Sequence, residues 1–135
     1  KDGDYDLFVG GRLEPNIYGL PSSSFLFTNN GKGVFSDQSD SIATSLKFLG
    51  MVTDSKWVDL DNDNDDDLIV VGEWMPIKVF INVGDSLVDR SIEYGFDKTN
   101  GWNHTIEVSD FNRNAKCDPT KCVSAPYVHD DTLQI

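Results

Sequence analysis

Between Asp59 and Gly72 the chain reads DLDNDNDDDLIVVG, with aspartates at 59, 61, 63, 65 and 67 before an abrupt apolar run. No other feature constrains the fold so tightly. Carboxylates packed at this density repel one another, at roughly 1 kcal/mol for each near pair even in the dielectric of bulk water. A hard divalent cation, which takes six to eight oxygen ligands, removes that cost. An ordinary solvated acidic turn has no reason to alternate so strictly. The spacing predicts a calcium loop that runs directly into a buried strand. An EF-hand is excluded: it needs a bidentate Glu at the twelfth position and flanking helices. Counted from Asp59, the twelfth residue is Val70, inside a β-branched run that favours a strand. The loop is therefore shorter and ends on a ninth-position carboxylate, Asp67. Its sixth position, Asn64, is where a left-handed backbone is expected, and Asn is the best substitute for Gly there.

The pattern recurs. Asp2-Gly3-Asp4-Tyr5-Asp6 followed by LFVGG matches Asp63 to Asp67 followed by LIVVG, an offset of 61 (67 − 6). Asn30 with its GKGVFSD matches Asn82 with its VGDSLVD, an offset of 52, and Asp59 has a partner 51 positions later in Asp110. Internal repetition with this period points to a repeat architecture. Within one unit the strand signals fall at 56–60, 68–73, 77–82 and 86–91, with a break at Met75-Pro76 because Pro cannot donate to a ladder. Only 40–49 could pack as a helical turn, and it is expected to be loop. The predicted class is all-β: about two four-stranded blades of a larger β-propeller, of which this chain is a fragment. A β-helix of short Gly-rich repeats has the wrong period, and a β-sandwich does not explain the recurring loop. The expected divisions are a partial blade over 1–53 that starts inside a calcium loop, a complete blade over 54–108, and a degenerate third repeat over 109–135.

These residues resemble the FG-GAP/VCBS repeat group, which includes the propellers of integrin alpha subunits. The segment LGMVTDSKWVDLDNDNDDDLIVVGEWMPIKVFIN is most similar to secreted VCBS-repeat proteins related to cartilage acidic protein. The resemblance covers about residues 1–115. It implies that the D-x-D-x-D-G-x-x-D loop joins the first two strands of a blade and binds Ca2+. Asp59, Asp61, Asp63 and Asp67 would then supply carboxylates and Asp65 a backbone carbonyl. Asp2 and Asp6, with the Asp4 carbonyl between them, match the latter half of a preceding loop. Asp110, Asn112, Asn114 and Asp118 keep the spacing of a third loop, with the Lys116 carbonyl in seventh place. That copy offers two carboxylates against four, which weakens calcium, and Ala115 stands where a left-handed residue is wanted.

A net charge of −12 over 135 residues argues against nucleic acid, whose phosphates need Lys and Arg. No apolar run approaches a membrane span. Cys117 and Cys122 are either incidental thiols or a small disulfide loop; zinc would need two further ligands, and only isolated His104 and His129 are at hand. No nucleophile and base are brought together by a recognisable motif, so no enzyme is expected. Trp57, Trp74 and Trp102 lie in or beside strands, where core or inter-blade packing is expected over a carbohydrate platform. Asn103-His104-Thr105 fits the N-glycosylation pattern. The expected role is an extracellular or cell-surface, calcium-stabilised module that presents loops to a protein or glycan ligand, with neighbouring blades as its structural partners. The alternatives are a scaffold domain of a larger secreted enzyme, such as one acting on polysaccharide, and a purely structural spacer.

Overall fold

The computed structural model describes residues 3–109, which form two antiparallel sheets. The first has three strands in sequence order, β1 (Leu7–Val9), β2 (Phe25–Asn29) and β3 (Phe35–Asp37). The second is a meander of β4 (Met51–Val58), β5 (Asp67–Met75), β6 (Lys78–Asn82) and β7 (Leu87–Asp89). A two-residue strand, β8 (Gly101–Trp102), adds to the far end of β5. The all-β class is as expected. Between the sheets the segment expected to be loop makes two helical turns instead, α1 (Ser39–Ile42) and a 3-10 turn at Thr44–Leu46. They are too short for periodicity to reveal, and they form because Ala43, Leu46 and Leu49 can bury between the sheets. The first strand of the second sheet also begins at Met51 rather than Lys56, since the ladder to β5 extends back to the pair Met51 and Glu73.

β5 is the centre of the molecule. Its residues are buried on both faces except Trp74, as expected for a β-branched run with sheet neighbours on each side. Leu68, Val70, Phe80 and Leu87 project from one face and pack with Val52, Phe8 and Leu26, so this core joins the two sheets. Ile69, Val71, Val79 and Ile81 project from the other face onto Leu60, Ile77 and Ile106, with Tyr94 and Phe96 alongside. Each fully buried aliphatic side chain here contributes about 1.5–3 kcal/mol.

The two sheets share a bonding pattern. The Asp6 carboxylate accepts the Asn29 N–H at 2.9 Å, and the Asp67 carboxylate accepts the Asn82 N–H at 2.8 Å. Asn29, not Asn30, is therefore the counterpart of Asn82. The sequence match slid by one residue because the β2–β3 turn (30–34) is one residue longer than the β6–β7 turn (83–86). In both sheets the Asp at the end of the last strand accepts the hydroxyl proton of the Ser two residues on, Ser39 to Asp37 and Ser91 to Asp89, each at 2.5 Å. Each Ser oxygen in turn accepts a backbone N–H of the preceding strand, from Leu26 at 2.9 Å and Val79 at 3.0 Å. The link between units repeats as well. Val52 N–H donates to the Gly11 carbonyl at 3.0 Å, and Asn103 N–H donates to the Gly72 carbonyl at 3.3 Å.

Candidate metal centre

The turn from β4 to β5 is built by its own aspartates. Asp59 accepts the N–H groups of Asn62 at 2.7 Å and Asn64 at 3.1 Å. Asp61 accepts from Asp63 at 3.2 Å, and Asp63 accepts from Asp65 at 2.8 Å. These side-chain-to-backbone bonds coil the loop, since Asx residues offer the chain an alternative to ladder pairing. Asn62 and Asn64 adopt left-handed φ values of 64° and 70°. The expectation for the sixth position is met, and its counterpart in the earlier loop, Gly3, is also left-handed at φ 95°.

The result is a convergence. Asp59, Asp61 and Asp67 each place a carboxylate oxygen within 4.8 Å of the others. Asp63 stands outside that trio. Asp67 is fully buried at the start of β5 and is fixed by two backbone donors, Leu60 at 2.7 Å and Asn82 at 2.8 Å. Burial pushes the Asp67 carboxyl above the ordinary carboxylate range; the two N–H bonds pull it back, and the charges of Asp61 and Asp63 push it further up. Among the described residues no Lys or Arg forms an ion pair with Asp59, Asp61 or Asp67. An all-oxygen, all-anionic donor set suits a hard cation and disfavours the softer transition metals. The residues fit a divalent ion of that class. Leu60 and Tyr94 share the apolar cluster beneath the loop, and burial raises the Tyr94 hydroxyl, with Asp67 and Asp61 adding to the effect.

The other candidate residues separate into two groups. Asp4 and Asp6 lie beside the first β-hairpin: Asp6 holds Asn29, and Asp4 lies so close to Gly31 that a Cβ there would meet its carboxylate at 2.6 Å. Asp2, Asp110, Asn112, Asn114, Lys116 and Asp118 lie outside the described residues, as do Cys117 and Cys122.

The core half of one expectation is corrected: Trp57, Trp74 and Trp102 are 41%, 63% and 49% exposed, and so do not pack in the core of the described residues. Beside Trp74 and Trp102 it is Glu73, Met75 and Asn103 that are buried. Asn103 is only 2% exposed, so the acceptor of the glycosylation pattern is buried although His104 and Thr105 are exposed.

One feature had no motif to announce it. Glu73 is buried, and its carboxylate accepts Arg12 Nη2 at 2.5 Å and the Tyr18 hydroxyl at 3.2 Å, with His104 Nδ1 at 4.0 Å. Arg12 follows Gly11 as Glu73 follows Gly72, so repeat-equivalent positions carry opposite charges and pair across the two units. The complementary charges after the repeated Gly were the available signal.

Among the described residues no helix is long and apolar enough to cross a membrane. Comparison with family models, with curated proteins and with solved structures returned no match.

Proposed function

We propose that the chain is a non-catalytic, calcium-stabilised extracellular repeat module of the FG-GAP/VCBS kind, a portion of a β-propeller whose units present loops for binding. The observation that carries this reading is the meeting of Asp59, Asp61 and Asp67 within 4.8 Å at the turn between the first two strands of a unit. The resemblance places a calcium loop at that turn. Asp59, Asp61 and Asp67 would hold the ion, with Asp63 and the Asp65 carbonyl as further donors. When bound, it supplies positive charge that offsets the mutual repulsion of these carboxylates. Asp67 ties the ends together, because its buried carboxylate already joins Leu60 at the loop entrance to Asn82 on the third strand of the unit. Metal affinity then adds to folding stability.

The propeller reading draws on the sheet stack. Among the described residues the first sheet covers the apolar face of the second, while Leu7, Val9 and Phe35 on the same face of the first sheet are exposed, as a further unit in the stack would require. The repeated bonds from Val52 to Gly11 and from Asn103 to Gly72 are a rule for adding units in one direction.

The test is a calcium titration monitored by thermal melting. Calcium at about 100 times its Kd is expected to add ~2.7 kcal/mol, and Asp61→Ala is expected to abolish most of that increment. Terbium, excited through Tyr94, is expected to luminesce in the wild type and to be displaced by calcium. A melting curve that EDTA leaves unchanged sinks the metal reading.

A further inference from the structure

We propose that the corner formed by Trp74, Trp102 and His104, flanked by Tyr18 and Arg12, binds an uncharged glycan through one pyranose ring. It lies at the opposite end of β5 from the aspartate loop, about 24 Å from Asp67 along the strand. The inference does not depend on the metal reading.

Four observations meet there. Trp74 and Trp102 are large, exposed and in contact, with ring centroids 5.3 Å apart and planes at 74°. His104 stands edge-on to Trp102 at 6.4 Å and 86°. Trp74 adopts φ 59°, a left-handed backbone that is exceptional for a bulky side chain. The β5–β8 register also shifts between Glu73 and Met75, and irregularities of this kind re-aim a side chain next to functional sites. The chain accepts this conformation and holds an indole in water on a strand whose other residues are buried.

The chemistry of the corner selects the ligand class. Glu73 is buried and already satisfied by Arg12 and Tyr18, so it offers little to a cation. Arg12 is already paired with Glu73, so an anion gains less from it than from a free guanidinium. What remains on the surface is flat aromatic area beside polar groups: the half-exposed guanidinium, the Tyr18 hydroxyl and the His104 ring. A pyranose has that combination, an apolar C–H face and a rim of hydroxyls. A polyproline segment also docks on aromatic residues, but it needs a groove between them. Here two indoles meet nearly at right angles and form a corner.

The experiment uses the full chain with cellohexaose, mannohexaose, xylohexaose and a proline-rich decapeptide as probes, in calcium and in EDTA. The indole N–H resonances of the three tryptophans are followed by NMR. Saturable shifts are expected at Trp74 and Trp102, but not at Trp57, with at least one hexaose. Trp102→Ala is expected to weaken binding at least about tenfold, and Trp74→Phe to retain part of it. Trp74→Gly is the decisive variant, because Gly relieves the left-handed backbone. It should fold at least as well as the parent and still lose the sugar. Shifts caused by the decapeptide alone, no shift at either indole with any hexaose, or full binding by folded Trp74→Gly would overturn the proposal. Loss of the calcium effect on melting with intact sugar binding would refute the metal reading and leave this one standing.

Discussion

The two sheets carry the same pattern in different surroundings. Leu7, Val9, Phe27 and Phe35 on the first sheet occupy the register positions of Leu68, Val70, Phe80 and Leu87 on the second. On the second sheet these side chains are buried under Phe8 and Leu26. On the first, Leu7 and Phe35 are each 47% exposed, and Phe25, tilted against Phe27 with ring centroids 6.2 Å apart, is exposed as well. Similar residues at matching register positions are thus buried to different extents, so burial here is set by what lies against each sheet and not by the local pattern.

The sharpest test of the comparison is a pair of equivalent truncations. Leu68→Ala removes a fully buried side chain and is expected to cost about 2–5 kcal/mol in chemical denaturation. Leu7→Ala, at the matching position, is expected to stay within about 1 kcal/mol in this chain. In a longer chain that supplies another unit against the first sheet, the Leu7→Ala penalty should rise toward that of Leu68→Ala. Equal penalties in the present chain would break the comparison, because they would mean that the first sheet is already covered.

A smaller effect concerns the segment at Asn103. Asn103 and Val52 make the same backbone bond to Gly72 and Gly11, but Val52 is an apolar core residue while Asn103 buries a side-chain Nδ2 that has no hydrogen-bond partner among the described residues. An unsatisfied buried donor costs about 1–3 kcal/mol. Asn103→Val should therefore raise the unfolding free energy by about 1 kcal/mol. A loss of stability would show that the amide has a partner in solution.

The parts legible in the sequence were those with a short-range physical cause. Asp59 to Asp67 and the LIVV run announced both the loop and the strand after it, because alternating charge and β-branching act locally. The offset of Asn82 was misread by one residue, since a turn can gain a residue without leaving a compositional trace. The Ser39 and Ser91 clasps escaped notice because D-x-S is too common to stand out until a backbone N–H is seen on each hydroxyl. Position in or beside strands points Trp57, Trp74 and Trp102 toward core or inter-blade packing, and the core half of that expectation fails. Their exposure depends on a left-handed turn at Trp74 and on which face of β4 carries Trp57, and neither is encoded in residue type. The Glu73 site needed Arg12, 61 positions away, and only the stacking of units brings the two together.

The smallest predicted effect separates Asp37 from Asp89, equivalent residues that each accept a Ser hydroxyl and a backbone N–H. Both carboxyls lie below the ordinary value of 3.8, but for different reasons. At Asp37 the Ser39 hydroxyl and then its N–H lower the pKa, against weak desolvation. At Asp89 burial pushes upward most strongly, and the Lys78 ammonium at 2.8 Å together with Ser91 outweighs it. The first sheet has Phe25 at the Lys78 position, so Asp37 lacks that cation. A carboxylate depressed in the folded state contributes stability above its unfolded pKa and loses it as pH falls through the folded value. Lys78→Met should therefore raise the Asp89 pKa in a carboxyl NMR titration, leave Asp37 where it is, and cost a few tenths to about 1 kcal/mol near neutral pH. Part of the acid-induced loss below pH ~4 should disappear with it. An Asp89 titration that ignores the substitution would mean that Ser91 alone holds the carboxylate down. The two sheets would then be electrostatically equivalent as well as structurally so.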